Sequence, residues 1–197
     1  YVENSLLLIQ NGLTLIFFYA NVNDPKQYFA TNSVFQNNLN SIIENYGHKT
    51  ELMSICFNVL SLILPYMDKT DKIFETTFDT FPLIDKEDLH TSNAISHFIL
   101  EYTNSFSIFD HIDFFLNIFV DILHHQFSNE HFLIILKILS CQFEPKCQQS
   151  NSFNLFDQML NHGILQFIHS FLKTNLEYLD FDILHEILIF YRNSDSF

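Results

Sequence analysis

The chain is short of the residues that punctuate β-structure and cradle phosphates. Among its 197 residues are three glycines, four prolines and no tryptophan. An all-β domain of this length needs many Gly- and Pro-bearing turns, so the scarcity moves the expectation to an all-α fold. Phosphate-binding loops also rest on glycine, and neither G-x-G-x-x-G nor G-x-x-x-x-G-K-S/T occurs; the nucleophile elbow G-x-S-x-G is missing as well. Basic charge is the next scarcity. Nine Lys and Arg stand against 23 Asp and Glu, giving a formal net charge of −14, and Arg192 is the sole arginine. Nucleic-acid binders neutralise phosphates with clustered Lys and Arg, and the scattered basic residues here form no such stripe. Nucleic acid and membrane surfaces are therefore not the expected partners. A net negative surface keeps a chain soluble and steers basic partners towards it. Cysteine is sparse too. Cys56, Cys141 and Cys147 make an odd, widely spaced set, which fits the reduced thiols of an intracellular protein, cytoplasmic or nuclear, better than a disulfide framework.

What is abundant is apolar. The chain is 48% hydrophobic, with 24 Phe and 8 Tyr, so it can bury a sizeable core. Apolar residues recur at helical spacing in block after block. Over 49–66, Leu52, Ile55, Cys56, Val59, Leu60, Ile63 and Leu64 follow the i, i+3, i+4, i+7 rule, and Pro65 closes the run. The segment 109–126 reads as another helix, with Asp110 near its acidic start and His124 and His125 near its end, the order that the helix dipole favours. A further helix follows at once, capped by Ser128 or Asn129, so 109–142 predicts a helical hairpin. The spacing also predicts a helix ending at Gly47, one capped by Thr91 or Ser92, and three more between 152 and 193. The total is about ten helices, with 68–90 the irregular exception, read as a short helix and then a loop. The stretch between Glu3 and Asp24 is uncharged over about the length of a spanning helix. It is broken by Asn and Gln and has no basic flank, so it reads as a buried core helix rather than a membrane span.

Segments with the character of inner helices begin near 50, 91, 129 and 180, at intervals of roughly 40 to 50 residues, the range of two- and three-helix repeats. The stretches 5–21 and 155–173 align on their glycines. Each has a short apolar helix, an Asn one or two places before Gly12 or Gly163, and then a strongly apolar helix. This pattern resembles the armadillo repeat, in which a short first helix turns at a glycine into a second. The resemblance implies a right-handed armadillo/HEAT-like α-solenoid over 1–197 as one helical domain, with Gly12, Gly47 and Gly163 as turn glycines. It also implies a non-enzymatic scaffold or adaptor for a protein partner, a basic peptide or helix held on a solenoid face. The absence of Trp departs from the Trp and Asn ladders of nuclear-import receptors.

Ten histidines invite a catalytic or metal reading, but no two are spaced i, i+4 and there is no H-E-x-x-H, so no metal, cofactor or catalytic residue is expected. Asp110, Asp113, Asp121, His125 and His169 are the candidate interaction face; Asp121 and His125 lie one helical turn apart. Two other functions fit the same residues. One is a structural subunit of a larger assembly, and the other a helical metal-dependent enzyme using the His- and Asp-rich 110–131 region. The sequence leaves the oligomeric state open.

Overall fold

The computed structural model describes residues 2–23, 25–68, 71–84, 88–106, 111–125, 128–142, 152–175 and 179–194. Among them are eleven α-helices and no strand, so the all-α expectation holds. The chain falls into two compact units, Tyr1–Phe106 and Ser107–Phe197.

The first unit contains α1 (Val2–Asn23), α2 (Lys26–Thr31), α3 (Ser33–Tyr46), α4 (Thr50–Ile63), α5 (Lys72–Thr80) and α6 (Leu89–Ser105). Its centre is α4, which buries Leu52, Met53, Cys56, Phe57, Val59, Leu60 and Ile63. These residues occupy more than one face, which is why α4 packs on α6 most extensively and on α1 and α3 as well. Full burial of each large apolar side chain stabilises the unit by about 1.5–3 kcal/mol. Phe57 stacks on Phe81 with ring centres 5.2 Å apart and meets Phe98 of α6 at 5.6 Å. Pro65 stands within a tight turn, Leu64–Tyr66, that ends α4 where the sequence places its end.

Three expectations change in this unit, while the segment 68–90 holds the expected short helix, α5, before a turn at Phe81–Leu83. Ile73, Phe74, Thr77 and Thr80 are buried there, and the interleaved Asp and Thr residues hide a helical period. The cap of α6 is Asp88 rather than Thr91 or Ser92. Asp88 Oδ2 accepts from the Thr91 backbone N–H at 2.8 Å and from its hydroxyl at 2.6 Å, while Thr91 and Ser92 are buried within the first turn. Gly12 is not a turn: α1 runs through it as one 22-residue helix. A single glycine inside a helix costs only about 1 kcal/mol relative to alanine, and the Leu, Ile and Phe residues on either side outweigh it.

Helix α1 also departs from its reading as a buried core helix. Leu13 and Ala20 are buried. Yet only 11% of the window Ser5–Val22 is buried, and this stretch is long and apolar enough to cross a membrane. Gly47 ends α3 as expected but in ordinary right-handed geometry, φ −55° and ψ −20°. Its need for a bare Cα comes from packing: an added Cβ would lie 2.6 Å from Thr80 Cγ2 on α5.

The second unit contains α7 (Ile112–His125), α8 (Asn129–Gln142), α9 (Ser152–Asn161), α10 (Ile164–Asn175) and α11 (Phe181–Ser194). Helix α8 is its centre and packs chiefly on α11, with Phe132, Ile135, Leu136 and Leu139 facing a core that includes Ile183, Ile187 and Phe190. Of the two candidate caps, Ser128 is used, its Oγ accepting from the His131 N–H at 3.1 Å. Gly163 has φ +78°, the left-handed geometry expected of a turn glycine between α9 and α10.

Candidate interaction surface

Three residues of the candidate face, Asp113, Asp121 and His169, have described side chains, and these three do not share one helical side. Asp110 lies outside the described residues, as does the side chain of His125, whose backbone ends α7. Asp113 is exposed in the first turn of α7, and the half-buried Asp121 stands about 80° away round the same helix. Asp113 is instead joined to a residue that local pattern could not nominate. Its Oδ1 lies 3.3 Å from His162 Nε2, in the turn just before Gly163. The left-handed conformation of Gly163 reverses the chain there and so holds His162 at the edge of α7. Further along, the ring of His124 meets Phe167 of α10 edge to face at 6.0 Å. Asp113 and His124, eleven residues apart, share one side of α7, so the start of α10 runs beside that side. His169 is exposed and lies two residues beyond Phe167, about 200° round α10, and therefore faces away from α7.

A second set of exposed residues combines aromatic, apolar and acidic character. Phe181 opens α11 with 76% of its surface exposed, and the neighbouring Asp180 and Asp182 are exposed as well. The Phe181 ring lies nearly parallel to the exposed His185 imidazole, 6.2 Å between centres, and Leu188 continues the same helical side. Asp180 Oδ1 accepts from the Asp182 backbone N–H at 3.3 Å, which orients one carboxylate at the start of the helix. On α9, Phe156, Asp157 and Leu160 repeat the combination of an exposed aromatic ring, a carboxylate and an aliphatic side chain. No sequence pattern flagged these residues, because Phe181 and Leu188 stand on a helix among core positions such as Ile183, Ile187 and Phe190, and only exposure tells them apart.

Catalytic and ligand-binding alternatives have less geometry behind them. Among the described residues, no group of three or more His, Cys, Asp and Glu side chains lies together as metal ligands would. Cys56 is fully buried in the first unit, and burial pushes its thiol up to about 12, so its reactive thiolate is suppressed at neutral pH. The carboxyl of Asp88 is held below its ordinary value by the hydroxyl and backbone hydrogen bonds of Thr91, as befits a cap. A cleft of about 240 Å³ lies where α1 passes the start of α4, lined by Leu6, Gln10, His48, Lys49, Glu51 and Leu52. It falls below the roughly 300–1,000 Å³ of small-molecule sites. Compared with known protein families, with curated proteins and with solved structures, the chain matches none of them.

Proposed function

We propose that the chain is a non-enzymatic, intracellular interaction scaffold of right-handed α-solenoid type, and that its second unit binds a basic, amphipathic peptide or helix. The packing order supports the solenoid reading. In the first unit α3 packs on α5 and α4 on α6, and in the second α7 packs on α9; helices two apart in sequence thus contact each other, as in stacked helical pairs. The contacts of α1 with α4 and of α8 with α11 add a three-helix step, the period of armadillo repeats.

One observation carries the binding reading. Phe181 stands 76% exposed between two exposed aspartates. An exposed aromatic ring costs nothing to fold around, but it offers a large rigid apolar contact to a partner. The flanking carboxylates select cations, and the net charge of −14 steers them in. Asp157 beside Phe156 offers the same chemistry on α9. A partner alternating Lys or Arg with Leu along one helical side satisfies both features.

The test is fluorescence anisotropy with a labelled Lys/Leu amphipathic peptide, beside a Glu/Leu peptide of the same length. The expected result is saturable binding of the basic peptide alone, weakening as salt is raised. Phe181→Ala is expected to weaken it about tenfold, the effect of removing one aromatic anchor. Asp180→Asn with Asp182→Asn is expected to flatten the salt dependence. Equal binding by wild type and both variants would sink the assignment.

A further inference from the structure

Helix α1 carries a second apolar side that the fold of its own unit does not use. Leu7, Leu8, Leu15, Phe18, Tyr19 and Val22 each keep between 55% and 79% of their surface exposed. Their spacing is that of a helical seam with a seven-residue repeat. Leu8, Leu15 and Val22 recur every seventh residue, Phe18 takes the alternate seam position, and Leu7 and Tyr19 flank the row. The buried Leu13 and Ala20 lie seven apart on the opposite side, facing the unit's own core through α4. One side of α1 thus packs inward, and the other presents the positions by which two-stranded coiled coils pair.

Gly12 supplies an independent observation. It is half-buried at the edge of this side, about 40° round the helix from Leu8. Nothing lies within 4 Å of where its Cβ would be, and its φ is not the left-handed one that would call for glycine. Glycine in mid-helix costs stability, and among the described residues no close contact at its own Cα calls for a missing side chain here. A bare Cα at the edge of an outward side is what lets a second helix backbone approach closely.

We propose that α1 is a self-association seam, and that its occupant is α1 of a second copy of this chain. Three features select a second copy. Ser5–Val22 carries no charge, so two chains of net charge −14 can meet along it without local repulsion, and it offers a basic partner nothing to pair with. A two-fold axis would set the same seam of each copy against the other, so that apolar row meets apolar row over the same length. The exposed area is also sufficient. At roughly 150–200 Å² per large side chain, the six residues present about 700 Å² per copy, against about 800 Å² per partner in a standard interface. A bilayer fits less well, because a spanning helix is surrounded by lipid, whereas Leu13 and Ala20 are committed to packing within the unit. Asn11, the polar member of the seam, is the kind of residue that fixes register in such pairs.

Sedimentation velocity of the full chain from roughly 1 to 100 µM tests the proposal, in the concentration range where interfaces of this size form. The expected species at the upper end has twice the 23.3 kDa mass of one chain. Leu15→Glu buries a charge in the seam and is expected to weaken dimerisation at least about 100-fold. Gly12→Leu, whose Cβ would meet nothing within 4 Å in the isolated unit, is expected to leave the far-UV CD spectrum unchanged and to weaken dimerisation at least about tenfold by blocking close approach. Leu188→Glu in the second unit is expected to leave the dimer intact. A monomer throughout the range overturns the proposal, as does a dimer that survives both α1 substitutions. Flotation with uncharged phosphatidylcholine vesicles that Leu15→Glu abolishes, without dimerisation in their absence, also overturns it and assigns α1 to a lipid surface.

Discussion

Replacing Gly47 with alanine tests whether the spacing of α3 and α5 is set by a missing side chain. The backbone there, φ −55° and ψ −20°, suits any residue, so conformational strain plays no part. Contact does. The new Cβ would lie 2.6 Å from Thr80 Cγ2 and 3.0 Å from the Ile43 carbonyl oxygen, whereas non-bonded carbons rest at about 3.5–4.0 Å. Thr80 cannot simply turn away. Its side chain is buried, and its hydroxyl donates to the Thr77 carbonyl at 2.7 Å; rotating the methyl aside would break a bond worth about 0.5–1.5 kcal/mol. The helices must therefore part by about 1 Å, which in a close-packed core costs about 1–3 kcal/mol. Alanine returns about 0.4–1 kcal/mol by restricting the unfolded chain. The net expectation is a loss of about 1–2 kcal/mol, equivalent to a fall in midpoint of roughly 2–8 °C for a chain of this length.

Urea unfolding followed by far-UV CD measures that loss, and Thr80→Ser assigns its cause. Serine removes the obstructing methyl while keeping the hydroxyl bond to Thr77. The double variant Gly47→Ala with Thr80→Ser is then expected to lose less than the sum of the two single losses, by at least about 1 kcal/mol of coupling. Stability equal to or above wild type in Gly47→Ala refutes the reasoning, as does strict additivity of the pair.

Gly163→Ala is expected to destabilise the second unit by about 1 kcal/mol, because its φ of +78° places a Cβ against the following carbonyl; an unchanged thermal midpoint would argue against a left-handed turn. Gly12→Ala is expected to move the other way, by about 0.5–1 kcal/mol in favour of the fold, since it gains helix propensity with no clash; differential scanning calorimetry on dilute protein reads the sign. Asp88→Ala removes the cap of α6 and is expected to cost about 1 kcal/mol at neutral pH. The Asp88 carboxyl is depressed in the folded state, so its contribution is present above the ordinary carboxylate value and is lost as pH falls through the lowered one; the gap between wild type and variant in urea titrations should close in that acid range. Cys56, whose thiol is pushed up to about 12, is expected to resist iodoacetamide in the native protein and to react on unfolding, as peptide mapping by mass spectrometry would show.

Gly12 and Gly163 show how far the sequence could be read and where reading stopped. Both follow an Asn and a short apolar run, and both precede a strongly apolar helix, yet one lies inside a helix and the other between two. The difference is the phase of the buried row across the glycine. Half-buried Leu6 and Ile9 before Gly12 lie on α1 in nearly the same direction as buried Leu13 and Ala20 after it, so a continuous helix keeps all four towards the core, and a turn would cost that alignment. Across Gly163 the buried residues are Leu155 and Met159 on one side and Ile164, Ile168 and Phe171 on the other. On a continuous helix those two rows would point in roughly opposite directions, and only a reversal brings both into one core. The information was therefore present in the residues, but using it requires knowing which apolar positions are buried. Where burial and apolarity coincide, as on α4 and α8, the helices were legible from spacing alone; their expected starts near 50 and 129 are Thr50 and Asn129. Where they part company, as with the exposed seam of α1 or with Phe181 on α11, spacing finds the helix and misses the surface. The Asp113–His162 pair lies further out of reach, because 49 residues separate its members and only the turn at Gly163 brings them together. Side chains that repeat apolar chemistry without being buried are the ones whose partners must be sought outside the unit that carries them.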